Sequence, residues 1–487
     1  MIAMTVGEVA SAVGGTLHDA DPDAVVTAPV EFDSRKVAPG GLFLALAGEH
    51  VDGHDYLAQA FEAGAVAALV TRTDLGADAG PRVVVADGFA AIAALASYVA
   101  RRLPRATIVG ITGSSGKTST KDLVAAVLGR LGPTVAPPGS FNNELGHPYT
   151  VLLADERTEY LVLETSARGI GHIRFLTQIA PPRIGAVLNV GSAHLGEFGS
   201  REAIAQAKGE LVEALPSAAD GGVAVLNADD PLVAAMADRT TARVVTVGES
   251  AGADIRAESI VVDELGRASF ALVAAGERAE VRLRLVGEHH VGNALAASAV
   301  ALECGMPLGE VADALGAAGA ASRWRMELTE RADGVLVLND AYNANPESMR
   351  AALKALASIA APRRAEGGRS FAVLGHMAEL GPDGPAEHDA IGRLAVRLDI
   401  SQLIAVGEQA RPIQHGAALE GSWAGESQWV PDVDAAVELL RAQLRPGDVV
   451  LVKASRAASL ERVAAAILED ACGPAPESTS REEDSTA

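Results

Sequence analysis

The feature that most constrains how this chain of 487 residues can fold is a glycine-rich loop between an apolar strand pattern and an amphipathic helix pattern. The strand pattern runs from Thr107 to Thr112 and is rich in β-branched residues, and from Leu123 to Leu131 leucine and valine recur at helical spacing. A strand, a tight loop and a helix in this order begin a βαβ unit, in which the strands of the sheet are parallel. The segment therefore predicts an α/β fold.

The loop, GITGSSGKT at residues 110–118, has the residue types that bind a triphosphate. Small residues let backbone N–H groups approach phosphate oxygens, the helix N-terminus adds partial positive charge, Lys117 adds a full charge and Thr118 offers a hydroxyl to Mg²⁺. Residue 111 is isoleucine, so the loop follows T-G-x-x-G-K-T and not the strict G-x-x-x-x-G-K-[ST] pattern. A glycine-rich turn that only caps a helix is the alternative, but the flanking strand and helix favour nucleotide binding. The predicted nucleotide-binding residues are Gly113, Ser114, Ser115, Gly116, Lys117, Thr118 and Ser119.

Length and composition indicate several α/β domains. At about 150 residues per domain the chain has room for roughly three. Hydrophobic residues make up 49% and aromatic residues only 3%, which predicts cores of alanine, valine, leucine and isoleucine, as in parallel sheets covered by helices. We predict a small α/β domain at 1–103, a central nucleotide-binding domain with a mainly parallel sheet at 104–320, a Rossmann-like domain at 321–474 and a disordered tail at 475–487. The alternating segment 254–286 predicts antiparallel hairpins added to the central sheet.

The charge balance and the amino terminus bear on location and partners. A formal net charge of −23 repels nucleic acid and anionic membranes, so an anionic substrate needs a local basic pocket or a metal. The first residues carry no basic segment before an apolar run, and charged residues interrupt every long apolar stretch. We expect a soluble, cytoplasmic monomer that binds no nucleic acid and inserts into no membrane.

Three polar residues of the central domain are candidates for chemistry on a bound triphosphate. Glu164 ends a predicted strand at 160–164, and His194 follows another at 185–189. The carboxyl ends of parallel strands share one edge of the sheet with the phosphate loop, which makes both residues candidate metal ligands. A solvated charge and a structural histidine are the alternatives. Lys208 lies in a helical stretch, where a solvent-exposed position is the simpler interpretation.

Taken together, these segments resemble the Mur ligase family over roughly residues 5–470. The most discriminating segment is DAYNANPESM at 340–349. The other matching segments, in chain order, are DSR at 33–35, DGH at 52–54, TGSSGKTST at 112–120, SFNNELGHP at 140–148, NVGSAH at 189–194, KGE at 208–210 and GEHHVGNALAA at 287–297.

The resemblance implies a role for each segment. It implies that Thr118 and Glu164 serve a first Mg²⁺. It also implies that His194 and a carbamylated Lys208 serve a second Mg²⁺, which replaces the solvent-exposed interpretation of that lysine. Together with Lys117, these last two would be the catalytic residues. The other implied contacts are Asn293, Arg323 and Asn345 for the nucleotide base, Asp340 for the ribose, Ser34 and Arg35 for the uridine diphosphate end of the substrate, and Asn142 and Asn143 for further substrate binding.

The implied activity is an ATP-dependent ligation in cytoplasmic peptidoglycan precursor synthesis. It would add D-alanyl-D-alanine to UDP-N-acetylmuramoyl-tripeptide through an acyl phosphate, with ADP and phosphate as the other products. The chain departs from the family pattern at three positions, since Thr165 stands where methionine is usual, His376 where aspartate is usual and Ala454 where glycine is usual. None of the three removes a group that the chemistry needs, although His376 alters the charge near the expected acceptor site.

Two other functions are open at this point. A sister ligase with a different amine substrate, such as a folylpolyglutamate synthetase, is one, and the segment 340–349 argues against it. A nucleotide-switched binding protein is a different class. GTPase switches usually carry an N-K-x-D motif, and the sequence has none.

Overall fold

The computed structural model describes residues 1–48, 50–191, 195–422 and 425–469, so the predicted tail at 475–487 lies outside the described residues. Contacts divide the chain into two compact units. The first comprises Met1–Val261, Ala268–Arg284 and His289–Ser322. The second comprises Val262–Arg267, Leu285–Glu288 and the described residues from Arg323 onward. The boundary predicted after residue 103 falls inside the first unit, and the three-domain division stays a prediction.

The amino-terminal part of the first unit contains a mixed sheet with the order β2-β7-β6-β5-β4. Strands β4 to β7 pair in parallel, β2 is antiparallel to β7, and β1 and β3 form a separate antiparallel ribbon. Its elements are β1 (Met4–Thr5), α1 (Val6–Val13), β2 (Thr16–His18), β3 (Val25–Val26), β4 (Val30–Glu31), β5 (Leu42–Leu44), α2 (Leu57–Glu62), β6 (Ala67–Val70), β7 (Arg82–Val84) and α3 (Gly88–Arg101).

Helix α3 shows how the sequence builds this part. Asp87 caps its N-terminus by accepting a hydrogen bond from the backbone N–H of Ala90, 2.8 Å away. Ile92, Leu95 and Val99 recur at helical spacing and are fully buried. They join a hydrophobic cluster that also contains residues 149–154 and 176–180 of the following segment. This shared core explains why contacts do not separate the two parts of the first unit.

The rest of the first unit is built on a larger sheet, with the order β16-β15-β14-β13-β12-β11-β8-β10-β9. Every pairing from β9 to β14 is parallel, and β8 lies between β10 and β11. The elements are β8 (Thr107–Thr112), α4 (Lys117–Leu128), β9 (Thr134–Val135), α5 (Gly146–Leu152), β10 (Tyr160–Glu164), α6 (His172–Ile179), β11 (Ile184–Val187), α7 (Leu195–Phe198), α8 (Arg201–Glu213), β12 (Val223–Asn227), α9 (Pro231–Ala234), β13 (Arg243–Gly248), β14 (Ile255–Val262), β15 (Arg267–Ala274), β16 (Glu277–Val286), α10 (His290–Glu303) and α11 (Leu308–Ala317).

The described part of the second unit contains a six-stranded sheet with the order β17-β18-β22-β19-β20-β21. Its neighbouring strands pair in parallel, except that β17 is antiparallel to β18. The two faces of β19 are buried in different clusters, Ala372 and Leu374 on one side and Phe371 and Val373 on the other, as strand alternation requires. Its elements are β17 (Glu327–Glu330), β18 (Leu336–Asn339), α12 (Pro346–Arg364), β19 (Ser370–Leu374), α13 (Gly384–Arg397), β20 (Gln402–Val406), α14 (Arg411–Glu420), β21 (Ser427–Val430), α15 (Val433–Gln443), β22 (Val449–Lys453) and α16 (Glu461–Glu469).

The predicted α/β fold class with mainly parallel sheets is confirmed. Strands β14, β15 and β16 are consecutive neighbours joined by short turns and extend the central sheet, as predicted for residues 254–286. The parallel pairing of β14 with β13 was not predicted. None of the helices in the described ranges is long and apolar enough to cross a bilayer.

An ion pair with a buried carboxylate links the starts of two neighbouring strands of the second unit. Asp448 is fully buried before β22 and accepts hydrogen bonds from Arg369, which precedes β19, through the backbone N–H at 2.9 Å and through Nη2 at 2.7 Å. It also accepts a bond from the backbone N–H of Arg445. Removing one partner of such a pair leaves charged and polar groups unsatisfied, which costs more than the pair itself contributes.

We therefore expect Asp448→Ala to lower the free energy of unfolding of this unit by about 3 kcal/mol. All three tryptophans of the chain, at 324, 423 and 429, follow residue 322, so urea unfolding monitored by tryptophan fluorescence measures the change. The control is Asp434→Ala, because Asp434 is exposed and its ion pair with Arg462 is screened by solvent. Equal losses in both variants would contradict the prediction.

Candidate active site

The phosphate loop lies at the carboxyl end of the central strand β8. That strand ends at Thr112, α4 begins at Lys117, and Gly116 between them has a left-handed conformation with φ of 80°. Chain order reverses on either side of β8, and in parallel sheets such a switch point is where ligands bind. The first backbone N–H groups of an α-helix have no partner within the helix, and together with the helix dipole they favour an anion at the start of α4.

A second loop, after β11, holds the phosphate loop in shape. The side-chain oxygen of Asn189 accepts a hydrogen bond from the backbone N–H of Ser115 at 2.9 Å, and its amide donates to the Ser115 carbonyl at 3.2 Å. The backbone N–H of Ser114 donates to the Asn189 carbonyl, and the Ser114 hydroxyl accepts from Gly191. The sequence predicted a functional segment at 189–194 but not this role of Asn189. The one signal for it was the position of Asn189 at the end of a predicted strand.

Asn293, predicted to contact the nucleotide base, lies directly against the phosphate loop. A Cβ atom on Gly116 would stand 2.5 Å from the side-chain oxygen of Asn293. The Asn293 amide nitrogen is 3.2 Å from Nδ1 of His290 on the preceding turn of α10. Burial lowers the pKa of His290 well below its ordinary value, so the ring is neutral and Nδ1 can accept from the amide.

Two predicted catalytic lysines are close enough to influence each other. Lys117 Nζ donates to the Gly113 carbonyl at 2.8 Å and so folds back over the loop. Lys208 is buried in α8, which contradicts the solvent-exposed interpretation of the sequence. Burial, and secondarily the charge of Lys117, lowers the pKa of Lys208 well below its ordinary value. The amine of Lys208 is therefore readily neutral.

Glu164, at the end of β10, is the centre of a buried hydrogen-bond cluster. One carboxylate oxygen accepts from the Thr118 hydroxyl at 3.0 Å, and the other accepts from Ser140 at 3.1 Å and from the Asn142 amide at 2.6 Å. A carboxylate and a hydroxyl this close are the hard oxygen donors that suit Mg²⁺. The described residues contain no group of three or more His, Cys, Asp or Glu that could hold a metal. In nucleotide sites Mg²⁺ is usually bound by one or two carboxylates together with substrate phosphates and water.

The remaining predicted residues of the first unit have separate surroundings. Asn143 accepts from the backbone N–H of Gly146 at 2.8 Å, at the start of α5. Ser34 is buried with its hydroxyl on Gln59, whereas the side chain of Arg35 is exposed and paired with Asp33.

Thr165 directly follows β10 and is buried. The hydroxyl of Thr165 donates to the Ile111 carbonyl, and the carbonyl of Thr165 accepts from the Thr112 hydroxyl. This residue therefore ties β10 to the start of the phosphate loop. His194 lies outside the described residues, so its role stays a prediction.

In the second unit, Asp340 is engaged by a buried lysine. Lys453 Nζ is 2.5 Å from one Asp340 oxygen and 2.9 Å from the Asn343 carbonyl, and the other Asp340 oxygen accepts from the backbone N–H of Met326. Burial lowers the pKa of Lys453 although Asp340 opposes the shift. A ribose hydroxyl would share this carboxylate with Lys453.

Other predicted residues of this unit differ in exposure and role. Asn345 caps α12, with its side-chain oxygen accepting from Ser348 at 2.8 Å, and Arg323 is exposed. His376 is half-buried, and burial lowers the pKa of its ring, so this substitution adds no positive charge at neutral pH. Ala454 packs against Gly375, where an added Cβ would come within 2.7 Å of the alanine methyl.

Comparison with family models decides the classification. The Mur ligase catalytic domain matches residues 28–99, the Mur ligase middle domain matches 111–301 and the glutamate ligase domain of Mur ligases matches 324–456. This chain belongs to the Mur ligase family. As a Mur ligase it is an ATP-dependent ligase, and the resemblance noted from the sequence is confirmed.

Individual relatives cover nearly the whole of this Mur ligase. The UDP-N-acetylmuramoyl-tripeptide--D-alanyl-D-alanine ligase of Mycobacterium tuberculosis is 55% identical, with 97% of this chain and 99% of the relative aligned. The Escherichia coli enzyme of the same name is 34% identical, over 96% and 99%. Among solved structures, MurF from Acinetobacter baumannii has a TM-score of 0.84 at 31% identity, covering 96% of this chain and 99% of that one. MurF ligase from Thermotoga maritima in complex with ADP has a TM-score of 0.77 at 29% identity, covering 92% and 98%.

The close approach of Asn293 to Gly116 predicts how a methyl group added at residue 116 would affect nucleotide binding. We expect Gly116→Ala to weaken ATP binding at least about tenfold, because the left-handed φ disfavours alanine and the new Cβ would displace the Asn293 side chain. Isothermal titration of the purified protein with a non-hydrolysable ATP analogue measures the loss.

The control for this substitution is Gly309→Ala, since Gly309 lies in α11 with open space around the added methyl. Its nucleotide affinity should equal that of the wild type. Wild-type affinity in Gly116→Ala would show that the loop does not need glycine at this position.

Proposed function

We propose that this Mur ligase adds D-alanyl-D-alanine to UDP-N-acetylmuramoyl-tripeptide, with ATP converted to ADP and phosphate. The observation that carries the proposal is the 55% identity, over 97% of the chain, to the Mycobacterium tuberculosis enzyme of that name. The cluster of Thr118, Glu164, Lys117 and Lys208 around the phosphate loop supports it, because it provides for phosphoryl transfer.

Amide formation from a carboxylate requires activation of the acid. In the first step a carboxylate oxygen of the tripeptide bonds to the γ-phosphorus and the bond to ADP breaks, which gives an acyl phosphate. In the second step the amine of the dipeptide attacks the acyl carbon, phosphate leaves and the amine loses a proton. In this scheme no side chain acts as a nucleophile.

Bringing the carboxylate to the γ-phosphate means bringing two anions together. At ~4 Å and an effective dielectric constant of about 20, two unit charges repel by roughly 4 kcal/mol. Lys117 and the N-terminus of α4 offset this repulsion. The clamp of Asn189 on Ser115 keeps the backbone donors in place before the nucleotide arrives. Excluding water protects the acyl phosphate from hydrolysis.

We propose that Thr118 and Glu164 would hold a first Mg²⁺ and that His194 and carbamylated Lys208 would hold a second. When bound, Mg²⁺ neutralises charge on the phosphate oxygens and on the transferring group. The surroundings of Lys208 support the modification. It makes no hydrogen bond or ion pair with any residue that the structure describes, and its low pKa leaves a neutral amine that can add to CO₂ with release of a proton. The carbamate would turn this buried amine into an oxygen ligand.

The substrates would be shared among three domains with the bounds 1–103, 104–320 and 321–474. Their proposed contacts are Ser34 and Arg35 for the uridine diphosphate end, Asn142 and Asn143 for further substrate binding, Asn293, Arg323 and Asn345 for the base, and Asp340 for the ribose. We further propose that the enzyme acts as a monomer in the cytoplasm and binds no nucleic acid.

A phosphate-release assay tests the activity. With ATP, Mg²⁺ and UDP-N-acetylmuramoyl-tripeptide present, we expect phosphate release to depend on added D-alanyl-D-alanine. Lys117→Ala should abolish turnover while binding of the UDP-linked substrate, measured by titration, stays near normal, because the proposed role of that lysine is confined to the phosphates of ATP. Release stimulated by another amine would favour a sister ligase, and slow hydrolysis that no amine stimulates would favour a nucleotide switch.

Carbon-13 NMR with labelled bicarbonate tests the carbamate. We expect a carbamate resonance in the wild type at neutral pH that disappears in Lys208→Arg, because the guanidinium is never neutral. The control is Lys121→Arg. Lys121 is also buried, but its amine is engaged by the Asp122 carboxylate and by the Pro137 carbonyl. A signal that survives in Lys208→Arg, or vanishes only in Lys121→Arg, would contradict the assignment.

A further inference from the structure

We infer that Asn142 is a positioning residue that orients the Glu164 carboxylate so that one of its oxygens is directed at the metal site beside Thr118. This inference rests on the proposed Mg²⁺ site and goes beyond it. The proposed function leaves open how a flexible glutamate side chain is held ready for an ion. Asn142 would provide that support from a different segment of the chain.

The hydrogen-bond donors around Glu164 divide between its two carboxylate oxygens. Oε2 accepts from the Thr118 hydroxyl on the phosphate-loop side. Oε1 accepts from Asn142 Nδ2 at 2.6 Å and from the Ser140 hydroxyl at 3.1 Å, both on the segment before α5. The same Asn142 nitrogen also lies 2.9 Å from the Ser140 oxygen, so the three groups form a closed triangle. Each carboxylate oxygen therefore has its own set of partners.

The segment that carries Asn142 is itself anchored. Its backbone carbonyl accepts a hydrogen bond from the N–H of Ser166, just beyond β10, at 3.0 Å. The neighbouring Phe141 packs edge-on against Phe32 and Tyr149, with ring centroids 6.4 and 5.4 Å away. The Asn142 amide is thus attached to a fixed backbone and can transmit orientation to the carboxylate.

Orientation matters because Mg²⁺ requires near-ideal octahedral geometry at short distances. A glutamate side chain in a buried site has to give up rotamer freedom to meet that requirement. With Oε1 held by two donors, Oε2 stays within 3.0 Å of Thr118 before any ion arrives. Partners behind a metal ligand commonly contribute 10- to 100-fold to metal affinity for this reason.

The adjacent residue, Asn143, has a different role. The Asn143 side-chain oxygen accepts from the backbone N–H groups of Gly146 and Leu145 and so supports the start of α5. No hydrogen bond connects Asn143 to Glu164 in the described part of the chain. Orientation of the carboxylate therefore falls to Asn142, with Ser140 as the weaker second donor.

The test compares nucleotide affinity with and without the metal. A non-hydrolysable ATP analogue is titrated calorimetrically into the full-length protein in excess Mg²⁺ and again in EDTA, and the ratio of the two dissociation constants is the Mg²⁺ enhancement. We expect Asn142→Ala to reduce this enhancement about tenfold and to leave the affinity in EDTA unchanged. A loss of general fold integrity would lower both affinities alike.

The matched control is Asn227→Ala. Asn227 ends β12 of this sheet, and its amide donates to a backbone carbonyl, that of Leu188, and not to a carboxylate, so the enhancement in this variant should equal that of the wild type. Ser140→Ala removes the longer bond to Oε1 and should give a smaller loss in the same direction, which keeps the inference testable if Asn142→Ala folds poorly. Wild-type enhancement in both Asn142→Ala and Ser140→Ala would overturn the inference. Absence of any enhancement in the wild type would instead overturn the proposed metal site.

Discussion

The parallel pairing of β8 between β10 and β11 is the constraint on which the active site depends. It places the ends of three strands side by side, so that the phosphate loop after Thr112 lies between Glu164 and Asn189. The register is tight, with Glu164 opposite Ile111 and Val187 opposite Thr112. A slip of one residue would turn the Glu164 carboxylate to the other face of the sheet. The hydrophobic residues that bury this sheet therefore also set the geometry of the chemistry.

The site concentrates groups that are costly to bury. Glu164 and Lys208 both lie out of solvent, and the lysine has no counter-charge among the described residues. A stable core avoids such arrangements, and proteins tolerate them mainly where function requires them. Three hydrogen bonds offset the cost of burying the Glu164 carboxylate. For Lys208, a lowered pKa, which favours the neutral amine, offsets the cost of burial. Glu164 is therefore suited to binding a cation, and Lys208 is suited to covalent modification.

Local patterns predicted most of the fold because its strands are buried on both faces and so form continuous apolar runs. Strands such as β10 and β22 were recognised in this way. The edge strands β17 and β21 were missed, since their sequences ELTE and SQWV carry polar residues that face solvent. The contact-based units also differ from the predicted domains, because a hydrophobic cluster that includes α3 joins the first two.

The sequence by itself determined that a triphosphate loop follows a buried strand, that Glu164 ends another strand, and that the chain resembles Mur ligases. These conclusions need only local spacing and motif identity. Tertiary structure alone decided that Lys208 is buried, that Asn189 clamps the loop, and that Asn142 reaches Glu164 while its neighbour supports a helix. The physical reason is that burial and hydrogen-bond partners come from strands and loops distant in sequence, and local spacing does not specify which of them meet.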